Sequence, residues 1–225
     1  MTISEALTVD QAVDRMEALR STLPTGDGVA VFNRMYLRVT RLVRERLGET
    51  YFADPAGMSE LDAVFAARYL DAVEAASDGR RPAPCWRPLF ELRNRPGIHP
   101  LQYALAGMNT HIEHDLPLSV LDTCRLLGSR PEDVRADYHR INDLLAQVEA
   151  EVREELLPGP QAPAAAEALL HVLGVWSIDR AREAAWATVE ALWELRHTPA
   201  VEDAVAGTLS RTVGMVSRAL LTPVE

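Results

Sequence analysis

Residues 99–118 read HPLQYALAGMNTHIEHDLPL, and this stretch is the clearest indication of how the chain folds. Apolar side chains recur at the three- and four-residue spacing of a helix face, without the alternation typical of a strand. Pro100 suits the first helical position, because the N–H that it lacks would have no partner there. We therefore predict a helix that begins at Pro100, bends at Pro117 and ends before Gly128.

The same spacing on either side of this stretch predicts helices along most of the chain. Residues 78–98 contain four prolines and predict a long connection instead, with a short helical turn from Trp86 to Leu92. The Pro-Gly-Pro run at 158–160 is the best linker, but the two helices after it are too few for a separate domain. We expect the other helices at residues 9–22, at 28–47, from an N-cap at Ser59, and at 131–156, 163–197 and 200–220.

These elements predict an all-α fold, a single-domain bundle of about seven helices with a long Pro-rich connection. The domain is expected to span residues 1–225, with a core over about 25–197 and a C-terminal helix at about 200–220 packed on it. No apolar run approaches the roughly 20 residues of a membrane span. The first ten residues lack the basic and apolar regions of a signal peptide, so we expect a soluble cytoplasmic protein.

Composition and charge exclude several classes of function. The net charge of −10 does not suit binding to nucleic acid or to an anionic membrane. The chain contains no lysine, because all 23 basic residues are arginines. Schiff-base chemistry, pyridoxal phosphate attachment and a P-loop all need a lysine, so these classes are excluded. The two cysteines, Cys85 and Cys124, are far apart in sequence and do not form a metal-type pair.

The candidate site is a cluster of His111, His114 and Asp115 on the predicted helix. On a helical wheel the three residues project with the apolar side chains toward the core. A buried carboxylate without a partner costs several kcal/mol, so Asp115 must meet a cation, a metal or several donors. Gly107, one turn earlier, leaves room for another backbone or a ligand. Gln102, Asn109 and Glu113 fall on a polar face of the helix, and Glu113 is expected to project to solvent.

Three interpretations of this cluster stay open. His111, His114 and Asp115 suit zinc, iron or manganese as ligands, and a bound divalent metal would activate water for hydrolysis. Without a metal, a histidine paired with Asp115 would act as a general base in an isomerase, lyase or cyclase. The third interpretation is a polar network that only fixes the packing.

Other helices supply further candidates for the site. Glu183 and Asp62 are alternative candidates for the base of a metal-dependent reaction. Glu183 is a candidate since acids among tryptophans on one helix seam should be partly desolvated, although Arg180 and Arg182 would neutralise them. Arg68 is expected to pair with Asp115 or Asp71. The residues predicted to line a substrate pocket are Asn33, Tyr36, Asp62, Arg68, Tyr69, Met108, Trp176, Asp179 and Trp186.

Several of these stretches resemble an uncharacterised bacterial family, common in actinobacteria and known as a domain of unknown function. The stretches are residues 27–36, 61–69, 85–90 and 106–117, and the resemblance covers about residues 25–195. It implies a helical fold and residues of interest, but no activity. The spacing of His111 and Asp115 is also similar, locally, to that in the zinc phospholipase C and P1-type nuclease family. That family uses a trinuclear zinc cluster, whose other ligands this chain lacks.

Together these features predict a small-molecule enzyme with its pocket inside the helical bundle. The substrate is expected to be largely apolar, because the candidate pocket lies among aromatic side chains. Hydrolysis is expected if a metal binds, and an acid–base reaction of specialised metabolism if none does. The different class of function that stays open is a non-catalytic module that binds a ligand or forms a homo-oligomer.

Overall fold

The computed structural model describes residues 7–156 and 177–223. Within these ranges the chain forms helices, turns and loops without any strand, which confirms the predicted all-α single domain. The elements in chain order are α1 (Val9–Thr22), α2 (Gly28–Leu47), α3 (Pro55–Ser77), α4 (Arg87–Leu92), α5 (Pro100–Thr110), a π-helical turn (His111–Asp115), α6 (Leu116–Leu127), α7 (Pro131–Leu156), α8 (Ile178–Glu194) and α9 (Pro199–Leu220).

The start of α3 differs from the prediction. The helix begins at Pro55 and not near Ser59, because the Asp54 side chain accepts a hydrogen bond from the N–H of Gly57 and so caps the first turn. An aspartate N-cap followed by a proline at the first helical position is a strong start signal. Helix α3 is therefore about one turn longer at its start than expected.

The predicted helix from Pro100 to residue 127 is interrupted by the π-helical turn, where the chain was expected to bend. Pro117 has no N–H to bond the carbonyl of Glu113, so the α-helical pattern cannot continue there. Instead the N–H of Leu116 bonds the carbonyl of His111, five residues back. Gly128 then ends α6 in the left-handed conformation, with φ of 63°, as the sequence predicted.

Two apolar clusters form the core. One lies mainly among α1 to α5, with part of α9, and includes Phe32, Tyr69 and Trp86. The other lies among α6, α7 and α8, with the end of α2 and the start of α3, and includes Leu121 and Val189. The π-helical turn contacts α3, α5, α6, α8 and α9, which places it between the two clusters. Across the described ranges, we find no helix with the length and apolar character that crossing a bilayer would require.

Helix α9 packs on α5 through a buried polar seam. The Gln102 side chain donates to the carbonyl of Leu220 at 2.8 Å, and Asn109 donates to Ser217 Oγ at 3.0 Å. Gln102 and Asn109, on the polar face that the sequence indicated, are almost fully buried. Glu113, which was expected to project to solvent, is partly buried. The amphipathic pattern could not show this, because a second helix covers the polar face of α5.

Candidate functional site

The centre of the site is the carboxylate of Asp115, which lies among three ring N–H groups. His111 Nδ1 lies 2.9 Å from Oδ2, and His114 Nδ1 lies 2.8 Å from Oδ1. The indole Nε1 of Trp86, from the Pro-rich connection, donates to Oδ2 at 3.0 Å. Of the partners that Asp115 was expected to need, the structure shows hydrogen-bond donors. An ionised carboxylate only accepts hydrogen bonds, so both imidazoles donate through Nδ1.

The π-helical turn explains why two histidines reach one carboxylate. In a regular α-helix, side chains four residues apart are neighbours, whereas adjacent side chains point in different directions. The widened turn lets His114 bond the next residue, Asp115, while His111 bonds the same carboxylate from four residues away. Such one-turn π-helices are frequent at functional sites.

The charges of the cluster follow from its burial and its hydrogen bonds. Burial alone would raise the pKa of Asp115, but the hydrogen bonds from His111 and His114 outweigh it and lower that pKa to about 2. Burial also lowers the pKa of His111, more than its bond to Asp115 raises it. At neutral pH the cluster therefore holds an anionic Asp115 and a neutral His111 whose proton is on Nδ1.

Aromatic rings fix the orientation of the His111 imidazole. The Phe65 ring stacks on it, with centroids 3.6 Å apart and planes inclined by 7°. Tyr36 packs edge-on at 4.4 Å, and Phe32 and Trp86 lie at 5.9 Å. Phe32 reaches this position because Gly107 has no Cβ, which would lie 2.3 Å from the Phe32 ring. The space predicted above Gly107 is thus filled by a side chain, and neither a backbone nor a ligand occupies it.

A cavity of about 100 Å³ lies between the two apolar clusters, and His111 forms part of its wall. Most of the lining is apolar, but Tyr36, Asp62, His111 and Arg182 are polar. Three polar atoms of this wall are buried without a hydrogen-bond partner in the described residues: Tyr36 OH, Asp62 Oδ2 and His111 Nε2. Buried polar atoms normally have partners, so three unpartnered ones around one cavity indicate a place for a ligand or ordered water.

Burial also favours the neutral forms of the other two of these groups. It raises the pKa of Asp62 from 3.8 to about 7, because no nearby cation compensates the loss of water. The pKa of Tyr36 lies well above its usual value, through burial first and the nearby Asp62 second. The residues of the cavity wall therefore include a histidine with an unprotonated buried nitrogen and two groups that can donate a proton or a hydrogen bond.

Comparison with known protein families gives one match. A model described as a family of unknown function, DUF5995, matches residues 9–223. The chain belongs to this family. The matched range includes every residue of the cluster and of the cavity wall. No curated protein and no solved structure matches the chain significantly.

In this DUF5995 protein, four of the predicted residues line the cavity: Tyr36, Asp62, Met108 and His111. His114 and Asp115 are behind His111 and hold it. Two predicted pocket residues lie outside the cavity wall, where Tyr69 OH donates to Asn33 Oδ1 at 3.2 Å. The Asn33 amide donates in turn to the carbonyl of Met16 at 2.9 Å, so this pair ties α1, α2 and α3 together.

Arg68, another predicted pocket residue, lies at the edge of the cluster and not in the cavity. It forms an ion pair with Asp122, and its Nε donates to Ser119 Oγ at 3.1 Å. The prediction of a pair with Asp115 or Asp71 is therefore wrong. The cause is that α6 runs beside α3 and brings Asp122 to Arg68, whereas Asp115 is turned toward the histidines.

The predicted acidic seam on α8 is wrong, because its acids face solvent. Glu183 and Asp179 are exposed and lie outside the cavity wall, so the structure does not bring Glu183 to the histidines. Trp186 is buried but also outside the wall, and its Nε1 donates to Glu190 at 2.9 Å. Trp176 lies outside the described residues. The buried side of α8 is one position away from the predicted one and carries Arg182.

Three side chains of the site were not predicted: Trp86, Phe65 and Arg182. Trp86 and Phe65 carry a weak signal in the sequence, since one lies in the Pro-rich connection and the other on the apolar stripe of α3. Arg182 was expected only to neutralise acids on its own helix. Its place in a cavity wall depends on how α7 and α8 pack, which local patterns do not show.

The residues whose ligand atoms lie close enough to share a metal differ from the predicted set of His111, His114 and Asp115. Ligand atoms of Cys85, His114 and Asp115 lie within 4.8 Å of one another, and His111 is not part of this group. Both oxygens of Asp115 already accept hydrogen bonds, and burial raises the pKa of the Cys85 thiol to about 12. A metal here would have to displace these hydrogen bonds and a tightly held thiol proton.

Proposed function

We propose that this protein is an acid–base enzyme that binds a small, largely apolar molecule in the cavity and uses His111 as its general base. The observation that carries this proposal is the state of the His111 ring. Its Nδ1 is bonded to an anionic carboxylate, while its Nε2 is buried and unpartnered within the described part of the chain. A histidine held by an aspartate in this way is oriented to accept a proton at its other nitrogen.

The proposed reaction moves a proton within the substrate. His111 Nε2 takes a proton from a carbon of the bound molecule, and the anionic Asp115 stabilises the imidazolium that forms. The carboxylic acid of Asp62 gives a proton to a second atom of the same molecule. The product is an isomer of the substrate, and a final proton transfer from His111 to Asp62 restores both groups. Tyr36 OH supplies a hydrogen bond in this cavity.

The apolar wall supports this chemistry. A largely apolar wall strengthens the interactions of His111 and Asp62 with a reacting molecule that displaces water from the cavity. It also selects molecules that gain from burial of apolar surface. Isomerase, lyase and cyclase reactions all fit such a site, because each needs a placed base and acid but no lysine and no water nucleophile.

The experiment is a search for His111-dependent conversion in a metabolite extract. The purified chain and the His111→Gln variant are incubated in heavy water with an extract of cells that carry the gene. Mass spectrometry then follows metabolites that are consumed or that gain deuterium. We expect at least one change with the natural chain that His111→Gln abolishes and His197→Gln, an exposed control, retains.

The outcomes separate enzyme from binding module. If His111→Gln folds normally and retains every conversion of the natural chain, His111 is not the base and the proposal is wrong. If a metabolite co-purifies with the chain but is never changed, the protein is a ligand-binding module instead. Folding of the variants is checked by circular dichroism and by the midpoint of thermal unfolding.

A second candidate is a metal enzyme, supported by the group of Cys85, His114 and Asp115. Of the two residues in the local likeness to zinc hydrolases, Asp115 belongs to this group and His111 does not. A trinuclear cluster is not part of this candidate. Elemental analysis of protein purified without added metal tests it. Stoichiometric zinc, iron or manganese that is lost in Cys85→Ser but kept in Cys124→Ser would support the metal enzyme, whereas metal-free protein with His111-dependent activity would exclude it.

A further inference from the structure

Arg182 of α8 is a buried cation in the cavity wall, with a relative exposure of 5%. Its Nε donates to Asn142 Oδ1, and a terminal nitrogen donates to the carbonyl of Tyr138. The guanidinium lies 4.1 Å from the centre of the Tyr138 ring. These partners are all neutral. Among the side chains that the structure describes, those of residues 7–146, 148 and 177–223, no carboxylate lies within ion-pair distance of Arg182.

A buried guanidinium without an anion is unusual. Arginine stays protonated in proteins, so Arg182 cannot avoid the loss of hydration by becoming neutral. Charged groups are rarely buried unless they are paired. Asp179, on the same helix, acts on Arg182 only at longer range and is exposed. Asp62, in the same cavity wall, has no cation beside it. Neither carboxylate neutralises the guanidinium.

A purely structural role does not explain this choice of residue. Arg182 does join α7 to α8, because Tyr138 OH also donates to the Arg182 carbonyl at 2.7 Å. The two side-chain bonds of Arg182 go to neutral oxygens, however, and a neutral donor of similar length would make such bonds without a buried charge. No group among the side chains that the structure describes accounts for the charge itself.

We propose that Arg182 binds a carboxylate of the molecule in the cavity, so that the substrate is an amphipathic organic acid. The proposal rests on the acid–base function given above and names the class of its substrate. The planar fork of a guanidinium matches a carboxylate in two parallel hydrogen bonds. An enclosed cavity of about 150 Å³ binds benzene, so a cavity of about 100 Å³ accommodates the carboxyl end of an organic acid and its first few carbon atoms.

The test compares two probes that differ in one end group. Octanoate and octan-1-ol have similar lengths and apolar surfaces, but only octanoate is an anion at pH 7.5. Isothermal titration calorimetry measures the binding of each probe to the full chain. We expect octanoate to bind about 10- to 100-fold more tightly than octan-1-ol, which is the usual range for a buried hydrogen-bonded ion pair.

Variants assign this preference to Arg182. Arg182→Gln is expected to lower the affinity for octanoate by about 10- to 100-fold and to leave that for octan-1-ol within about threefold. Arg182→Lys keeps the charge and is expected to retain part of the preference. The matched control is Arg135→Gln, which removes an exposed arginine over the Trp186 ring.

Three results would overturn the proposal. These are equal binding of both probes to the natural chain, no binding of octanoate, and a preference that Arg182→Gln retains. If Arg182→Gln does not fold, the preference for octanoate over octan-1-ol is compared between the natural chain and Arg182→Lys instead. Octanoate binding to the natural chain does not require turnover, so the binding measurements test this proposal separately from the proposed function. Selective octanoate binding without any His111-dependent conversion would refute the enzyme and keep the carboxylate site.

Discussion

The ionisation of Asp62, a residue of the cavity wall, makes the unfolding free energy of the chain depend on pH. Its carboxyl group is buried, and Oδ2 has no partner in the parts of the chain that the structure describes. Burial raises its pKa from 3.8 to about 7, so the folded chain holds a proton on Asp62 that the unfolded chain has lost. Folding therefore becomes less favourable as pH rises from about 4 to 7, because the native state binds more protons.

The size of this effect follows from the two pKa values of Asp62. Each pKa unit is equivalent to about 1.4 kcal/mol, so a rise from 3.8 to about 7 removes at most about 4 kcal/mol of stability above pH 7. Water that enters the cavity reduces this figure. Asp62→Asn cannot ionise and should lose this dependence. The unfolding free energy of the variant minus that of the natural chain should therefore increase by about 2 to 4 kcal/mol from pH 4 to pH 8.

Urea unfolding at pH 4, 6 and 8 measures this gain, with circular dichroism as the signal. The matched control is Asp14→Asn, which replaces an exposed aspartate on α1 and should give curves parallel to those of the natural chain. If Asp62→Asn and the natural chain keep a constant difference in unfolding free energy across this range, Asp62 is not a buried, unpartnered acid. The acid assigned in the proposed reaction would then be lost as well.

Three further variants test the surroundings of His111 by chemical unfolding. Gly107→Ala should lower the unfolding free energy by about 1 to 3 kcal/mol, because its Cβ would meet the Phe32 ring. Asp115→Asn should lower it by about 3 kcal/mol, since an amide cannot accept all three ring N–H groups, and an unchanged value would contradict the cluster. Tyr36→Phe should leave stability unchanged or raise it by about 1 kcal/mol, because the lost hydroxyl has no partner within the described ranges, and a clear loss would reveal a missed bond.

The sequence predicted the helices well because their signals are local. Pro100 and Gly128 begin and end the α5–α6 segment as their backbone preferences require. The inward direction of His111, His114 and Asp115 was also predictable, since it depends on spacing along one helix. A proline after two histidines and an aspartate indicated an irregular turn, although its π-helical form depends on backbone hydrogen bonds that the sequence does not specify.

The contacts that complete the site come from distant segments and were not predictable. Trp86 reaches Asp115 from 29 residues away, through a connection without helical periodicity. On α8, acids and tryptophans suggested a seam, but the helix is rotated so that Glu183 is exposed and Arg182 is buried. The polar side of α5 was predicted from its spacing, but the spacing could not show that α9 covers it. Each of these errors concerns how one helix packs on another, which propensity and periodicity do not determine.

The protonation of His111 is the most direct test of the account. Long-range ¹H–¹⁵N NMR spectra of the chain labelled with ¹⁵N-histidine distinguish the two neutral tautomers and the imidazolium, and His111→Gln assigns the signal. We expect His111 to be neutral at pH 7, with the proton on Nδ1 and a free Nε2, and to titrate below the ordinary value of 6.5. A proton on Nε2, or an ordinary titration near pH 6.5, would contradict the Asp115-bound base on which the proposed chemistry rests.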